Sequence, residues 1–200
     1  MHIVITRPKE DSINLIEKLN HSGHLVTHLP VIKIEKLKTN KINLKNYEAI
    51  IFTSSNAIKF MNIEKFNFKI KCFCVGNSTE LSAKRAGFIN TYSSEGTVDS
   101  LIELIIRTLD NKSGKLLYLS SEFISKDLDH DLIKEGYLVD RISNYTSLPI
   151  ERIEEKTLNF IKKNKPDVLF IYSSTSAKNL FKLINKYSLL NVVTHSNLMC

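Results

Sequence analysis

Two short segments of the chain place paired serines directly after an apolar run. Residues 48–55 read E-A-I-I-F-T-S-S, residues 167–174 read D-V-L-F-I-Y-S-S, and a helical pattern follows each. Serines in this position lie at helix N-termini, where free backbone N–H groups bind anions. Serines also cap helices for purely structural reasons, so each one alone leaves both interpretations open. A unit that occurs twice predicts two similar lobes, and two lobes predict a cleft.

Small polar residues follow the other apolar runs in the same way. Open α/β sheets bind ligands beyond the carboxyl ends of their strands, so these residues are candidates for a binding site. The candidates are Arg7, Ser54, Ser55, Asn56, Gly76, Asn77, Ser78, Thr79, Ser173 and Ser174. Tyr145 lies on an extended segment between the two lobes and is predicted either to face the cleft or to pack beneath it.

Several classes of enzyme are disfavoured by missing motifs. No G-x-G-x-x-G follows the first strand, and no phosphate-binding P-loop or G-x-S-x-G elbow occurs. The six histidines have no ligand spacing, which predicts structural or surface roles. Cys72, Cys74 and Cys200 are predicted to be structural thiols, which favours a cytoplasmic protein.

The composition is that of a globular protein with a basic surface. The net charge is +7, and the lysines are scattered along the chain, which disfavours a nucleic-acid partner. A polyanionic small molecule suits a basic cleft equally well. The longest apolar runs have the length of strands and fall short of the roughly 20 residues that cross a bilayer, so no membrane partner is expected.

Apolar runs alternate with helical patterns along almost the whole chain, which predicts parallel α/β sheets covered by helices. Residues 31–37 and 138–148 instead alternate apolar and polar residues, as two-faced antiparallel strands do. They flank the intervening block, so the simplest topology is one α/β lobe inserted into another. We predict an outer lobe of residues 1–37 and 147–200, an inserted lobe of residues 38–146, and a two-stranded β-ladder between them.

Local signals predict the ends of individual helices. Pro8 predicts the start of a helix that Gly23 ends, and Asn77 with Glu80 predicts a capping box. Thr97 predicts the cap of a further helix.

Five motifs occur in an order that resembles the uroporphyrinogen-III synthase family. They are I-V-I-T-R-P, T-S-S-N-A, V-G-N-S-T-E-L-S-A-K-R-A-G-F, N-Y-T and F-I-Y-S-S, and together they extend over essentially the whole chain. The resemblance implies a bilobal α/β fold and a heme-biosynthesis lyase that cyclises hydroxymethylbilane to uroporphyrinogen III. It also implies no metal or organic cofactor, a monomer, and a substrate received from the preceding deaminase.

By the same resemblance, Tyr145 matches the cleft tyrosine of the family and is expected to assist the leaving hydroxyl. Thr79, Ser55, Asn56 and Arg7 are expected to bind substrate. Family members continue past Met199 and Cys200 with a second glycine–threonine motif, a helix and a strand. We therefore expect a truncated outer lobe whose strand at 168–172 lies at an exposed edge.

Two alternatives remain open from the sequence. The first is a truncated pseudoenzyme or non-catalytic two-lobed binder of a carboxylate-rich ligand. The second is an unrelated α/β transferase that acts on a phosphorylated substrate, which the missing phosphate loop disfavours.

Overall fold

The computed structural model describes residues 1–109 and 114–199, which form alternating strands and helices. The strands are β1 (His2–Ile5), β2 (Leu25–His28), β3 (Ile32–Lys36), β4 (Ile42–Asn43), β5 (Ala49–Phe52), β6 (Ile63–Lys65), β7 (Lys71–Cys74), β8 (Asn90–Ser93), β9 (Lys115–Ser121), β10 (Leu138–Pro149), β11 (Val168–Phe170) and β12 (Asn197–Met199). The α-helices are α1 (Ile13–His21), α2 (Ser55–Lys59), α3 (Asn77–Arg85), α4 (Val98–Thr108), α5 (Leu128–Lys134), α6 (Glu155–Lys163), α7 (Ser174–Lys186) and α8 (Leu190–Val193). Two short 3₁₀ helices lie at Lys9–Asp11 and Leu44–Asn46.

The chain divides into two compact units, and the first is discontinuous. Unit 1 comprises Met1–Ile34 and Leu148–Cys200. Its sheet has the strand order β12-β11-β1-β2, and every neighbouring pair is parallel. Ile3, Ile5 and Val168 pack beneath α1, while Val4, Leu169 and the apolar side of α7 fill the other face.

Unit 2 comprises Glu35–Ser147. Its strands follow the order β3-β10-β9-β5-β7-β8, and the pairs from β10 through β8 are parallel. The strand residues are buried on both faces, as in β5 from Ala49 to Phe52, because helices cover both sides of a parallel sheet. The predicted α/β class is confirmed, and Ile5 and Ile51 lie in different sheets.

Strands β3 and β10 are the two segments whose sequence alternates apolar and polar residues. The Leu37 N–H donates to the Asn144 carbonyl at 3.0 Å, and the Ile150 N–H donates to the Val31 carbonyl at 3.0 Å. Residue numbers rise along one strand as they fall along the other, so this pair is antiparallel. The alternating pattern therefore predicted the direction of pairing correctly.

Four local predictions are wrong. Pro8 is followed by the 3₁₀ turn Lys9–Asp11, and the α-helix begins only at Ile13. Strand β11 lies between β12 and β1, so it is not an edge strand. The strand predicted for residues 168–172 also ends earlier, at Phe170.

The fourth wrong prediction is the capping box of α3. Its N-cap is Gly76, which has no side chain, and Asn77 is the first helical residue. Glu80 instead accepts a hydrogen bond from Thr91 at 2.8 Å and pairs with Lys84 at 2.8 Å. By contrast, Thr97 caps α4 through a reciprocal bond with Ser100, as the sequence predicts.

Gly87 ends α3 for a steric reason that the sequence does not reveal. Its φ of +103° lies in the left-handed region, and a Cβ there would come within 2.7 Å of the Phe68 ring. The Phe68 ring in turn stacks on Phe66, with ring centroids 5.1 Å apart. Because Gly87 has no side chain, the Phe68 ring can pack directly against the backbone where the helix ends.

Candidate functional site

The carboxyl ends of β9, β5 and β7 meet at one edge of the unit 2 sheet, because these strands are neighbours and parallel. An open depression of about 320 Å³ lies there. It is lined by Thr53, Val75, Gly96, Val98, Tyr118, Ser121, Phe123, Ile124, Ser125, Lys126 and Tyr145. This is the part of an open α/β sheet where ligands bind.

Tyr145 reaches this depression through a β-bulge in β10. Ser143 is opposite Ser120 on β9 and Tyr145 is opposite Ser121, so Asn144 is one extra residue on its strand. The Asn144 side chain is buried and donates to the Ala57 carbonyl at 2.7 Å. The bulge shifts Tyr145 out of the alternation set by Arg141 and Ser143.

The Tyr145 phenol is protonated at neutral pH. Burial raises its pKa, and the neighbouring hydroxyls of Ser54 and Ser121 lower that pKa by less. The side chain is only 6% exposed. A buried neutral phenol can donate a proton or a hydrogen bond, whereas acting as a base would require a phenolate in a poorly solvated site.

A second tyrosine, Tyr118, lies on β9 in the wall of the depression. It is fully buried, and its hydroxyl lies 3.2 Å from the Thr53 hydroxyl. Burial raises its pKa, and the Thr53 hydrogen bond opposes that rise. The site therefore holds two neutral phenols, of which the sequence predicted only Tyr145.

Arg141 fixes the end of β9 beneath these groups. Its Nε donates to the Ser120 hydroxyl at 2.9 Å, and its Nη2 donates to the carbonyls of Ser121 and Glu122, both at 3.1 Å. These bonds use the planar fork of the guanidinium. Arg141 thus positions the strand end on which Ser121 lies.

The predicted residues that follow β5 serve as helix N-terminal residues. The Ser54 hydroxyl accepts from the Asn56 N–H at 3.2 Å and so caps α2. Ser55 and Asn56 form the first turn of α2, which has only five residues. The structure therefore shows the capping role for Ser54.

The residues that follow β7 lie beside this edge. Gly76 has extended backbone, and Asn77 and Ser78 begin α3. The Asn77 side chain accepts from the Ser93 hydroxyl at 3.1 Å, and Thr79 is buried with its N–H bonded to the Gly76 carbonyl at 3.0 Å. Gly76 and Gly96 approach closely enough that a Cβ on Gly76 would lie 3.5 Å from the Gly96 Cα.

Arg7, Ser173 and Ser174 belong to unit 1, at the carboxyl ends of β1 and β11. The Ser173 hydroxyl accepts from the Ser176 N–H at 3.1 Å and caps α7, whose first residue is Ser174. The Arg7 guanidinium lies 4.8 Å from the centre of the Tyr172 ring. The structure thus groups eight predicted residues in unit 2 and three in unit 1.

Among the residues of the depression that sequence reasoning missed are two large side chains, Phe123 and Lys126. Phe123 is 70% exposed, which is unusual for so large an apolar side chain. Lys126 forms an ion pair with Asp99 and lies 4.0 Å from Asp131. Their position in the loop after β9 is a usable signal, because loops at the carboxyl ends of strands carry binding residues.

Residues that could hold metal do not gather in the described part of the chain. Among residues 1–109 and 114–199, no group of three or more His, Cys, Asp and Glu side chains could ligate an ion. Cys72 and Cys74 are buried with their sulfurs 3.8 Å apart, and Cys200 lies outside the described residues. His2 is buried and bonds Thr27 and Asn164, which is a structural role.

None of the helices in the described part of the chain is long and apolar enough to cross a membrane.

Comparisons with known proteins converge on one family. The family described as "Uroporphyrinogen-III synthase HemD" matches residues 14–198. A porphyrin biosynthesis protein HemD of Ruminiclostridium josui is 27% identical over 159 residues, which cover 72% of this chain and 32% of that protein. The chain thus spans about a third of the length of that relative.

Two further proteins resemble nearly the whole chain. A putative uroporphyrinogen-III synthase of Methanocaldococcus jannaschii is 29% identical over 196 residues, which cover 92% of this chain and 79% of that protein. The crystal structure of uroporphyrinogen-III synthetase from Helicobacter pylori 26695 aligns with a TM-score of 0.60 at 18% identity. That alignment covers 90% of this chain and 76% of the other, and it supports the fold.

Proposed function

Because the chain belongs to the uroporphyrinogen-III synthase family, we propose that it cyclises hydroxymethylbilane to uroporphyrinogen III. The reaction releases water and inverts the last pyrrole ring, so the proposed class is a hydro-lyase. The family is an enzyme family, and the names of the family and of its relatives place it in porphyrin and heme biosynthesis. The observation that carries the proposal for this chain is the buried, neutral Tyr145 in an open polar depression at the strand ends.

Tyr145 is the proposed proton donor for the leaving hydroxyl. The phenol protonates the terminal hydroxyl as its C–O bond breaks, so that water leaves and an electrophilic azafulvene remains. The pyrrole nitrogens supply the electrons for this step. Burial, which keeps the phenol protonated up to alkaline pH, suits Tyr145 to this role.

Ring closure then needs positioning more than acid–base chemistry. The substituted carbon of the last pyrrole attacks the azafulvene to give a spirocycle, which fragments and recloses with that ring inverted. The proton that the substrate loses as its pyrroles re-form returns to the Tyr145 phenolate. Holding the chain folded favours this closure over direct closure to the type I isomer.

The proposed substrate-binding residues are those at the helix N-termini. In unit 2 they are Ser54, Ser55, Asn56, Gly76, Asn77, Ser78 and Thr79, and in unit 1 they are Ser173 and Ser174. Arg7, which follows β1, is proposed to bind substrate through its guanidinium charge. Helix N-termini favour anions, and the substrate carries eight carboxylates. We further propose a cytoplasmic monomer that receives its substrate from the preceding deaminase.

Isomer analysis of the product tests the proposal. The protein is supplied with hydroxymethylbilane, the products are oxidised, and the porphyrin isomers are separated. We expect type III porphyrin above a control without protein, in which spontaneous closure gives type I. Type I alone would reject catalysis by this chain, and tight substrate binding without type III product would identify a non-catalytic binder.

A further inference from the structure

Lys126 is the single charged side chain among the described residues that line the depression. The other lining residues are glycine, apolar, hydroxyl-bearing or aromatic side chains. A primary ammonium at the edge of such a site attracts an anionic group, and its flexible stem lets it follow that group. The Lys126 ammonium therefore gives the depression an attraction for an anionic group.

The Lys126 ammonium already has acidic partners within the protein. Asp99, in the first turn of α4, forms an ion pair with Lys126, and Asp131 lies 4.0 Å from the same Nζ. The Asp99 side chain is 70% exposed and that of Lys126 is 36% exposed. Ion pairs this exposed contribute little to stability, so a competing carboxylate can replace Asp99 at small cost.

Asp99 would remain favourably placed after such a replacement. It lies at the N-terminal end of an eleven-residue helix, where a negative charge is stabilised by the helix dipole. The cap of that helix is Thr97 and does not involve Asp99. The pair can therefore open without loss of the helix N-terminus.

We infer that Lys126 binds one carboxylate of the substrate and that Asp99 competes with that carboxylate for the ammonium. Lys126 is then a specificity-determining residue, and Asp99 is an internal competitor that lowers apparent affinity. This inference rests on the proposed function for the identity of the substrate, but the recognition of an anionic carboxylate by Lys126 does not depend on turnover.

Opposite effects of two substitutions test the inference. Lys126→Gln should raise the KM for hydroxymethylbilane about tenfold, because a charge-assisted hydrogen bond is lost. Asp99→Asn should lower KM about two- to threefold, because the competitor is removed. In both variants kcat should stay within about twofold of the parent, since neither residue donates the proton.

A matched control and a double variant separate this role from general charge effects. Lys134 lies 3.9 Å from the same Asp131 but is not one of the described residues that line the depression, so Lys134→Gln should leave KM unchanged. The double variant Asp99→Asn/Lys126→Gln should match Lys126→Gln alone, because Asp99 acts only through Lys126. Thermal unfolding of each variant checks that the fold is retained.

Binding of uroporphyrin I, an octacarboxylate that cannot be cyclised, keeps the two proposals distinguishable. Fluorescence titration should show the same order of affinities, with Asp99→Asn tightest and Lys126→Gln weakest. If the parent makes no type III product but this order holds, the proposed function fails and the inference stands. An unchanged KM and an unchanged Kd in Lys126→Gln, weaker binding in Asp99→Asn, or no binding of the probe by the parent would overturn the inference.

Discussion

The repeated serine pairs follow two strands, β5 and β11, that have very different surroundings. In unit 2, Ser54 caps the five-residue helix α2, and the neighbouring strand ends bring Tyr118, Ser121 and Tyr145 around an open polar depression. In unit 1, Ser173 caps the thirteen-residue helix α7. The residue after the neighbouring strand β1, Thr6, bonds within the sheet there, because its hydroxyl donates to the Phe170 carbonyl at 2.6 Å.

The difference separates the recurring part of the repeat from the groups of the proposed site. Strand, serine cap and helix recur in both units, so they form a scaffold. The groups that distinguish unit 2 come from β9, the loop after it and the bulge of β10. Unit 1 has its own phenol, Tyr172, which is half-buried, and its buried hydroxyl finds no hydrogen-bond partner in the described part of the chain.

The largest expected effect contrasts these two phenols. Tyr145→Phe should lower kcat about 10²-fold, because a positioned proton donor is lost. Stability should change by only about 1 kcal/mol, since the ring and its packing remain. Steady-state kinetics with hydroxymethylbilane and urea unfolding measure the two effects.

Tyr172→Phe is the matched control for this prediction. It keeps the ring beneath Arg7 and removes a hydroxyl that has no described partner, so both kcat and stability should stay close to the parental values. Near-parental turnover of Tyr145→Phe would leave Tyr145 as a packing residue and break the contrast between the units.

A second prediction concerns two glycines of unit 2. Gly76 has a φ of 178° and room for a Cβ, so Gly76→Ala should fold normally. If substrate approaches the backbone there, kcat/KM should still fall about tenfold, a loss of about 1.4 kcal/mol of transition-state stabilisation.

Gly87→Ala should give the reverse result. Its positive φ and its approach to Phe68 should destabilise the protein by more than about 1 kcal/mol. The activity of the folded fraction should be nearly parental. Parental kcat/KM in Gly76→Ala would mean that the first turn of α3 does not contact substrate.

The third prediction compares the two caps directly. Ser54→Ala and Ser173→Ala each remove a side-chain cap and should each cost about 1 kcal/mol of folding free energy. KM separates the roles that the sequence left open. A raised KM in both variants would indicate substrate contacts in both units, whereas a change in Ser54→Ala alone would make Ser173 a structural cap.

The smallest effect is the pH dependence of stability near Asp140. Lys115 holds the pKa of Asp140 below its usual range, and the Tyr47 hydroxyl helps, at 2.9 Å. Because the pKa of Asp140 is depressed in the folded state, this carboxylate stabilises the fold above its unfolded-state pKa of about 4. That stabilisation is lost as the pH falls from this value through the lower folded-state pKa. Asp140→Asn should therefore flatten the decline in urea midpoint between about pH 4 and pH 3, and an equal decline in both proteins would exclude this carboxylate.

Tyr47 gives a pH dependence of stability of the opposite sign, because its stabilisation falls as the pH rises. Burial, and then the hydrogen bond to Asp140, raise its pKa to about 12. Its contribution to stability is thus complete below the usual tyrosine pKa of about 10 and declines as the pH rises toward 12.

Strand and helix order was predictable because it depends on local hydrophobic patterns. The short apolar run at Ala49–Phe52, followed by polar turn residues, favours a buried strand, and the alternation at 31–37 correctly predicted an antiparallel neighbour. The capping box of α3 failed because Glu80 has competing partners, Thr91 and Lys84, that lie elsewhere in sequence or on the helix surface. The lobe boundaries near residues 38 and 146 stay a prediction.

The candidate site was predictable only in part, for the same reason. Serines after apolar runs can be found from sequence, but the bulge at Asn144 depends on a bond to Ala57, 87 residues away. Tyr118 looks like any strand residue until the Thr53 hydroxyl is seen beside it. Lys126 could not be told from the other scattered lysines until the structure placed it in the lining of the depression.

The antiparallel pairing of β3 and β10 has a consequence for how this architecture can arise and be altered. The bond from Leu37 to Asn144 brings the two ends of unit 2 side by side. A segment of more than a hundred residues with adjoining ends can enter a host fold as a long surface insertion, whose closure entropy grows only slowly with length. Unit 2 could therefore be inserted, or exchanged between relatives, as one continuous segment.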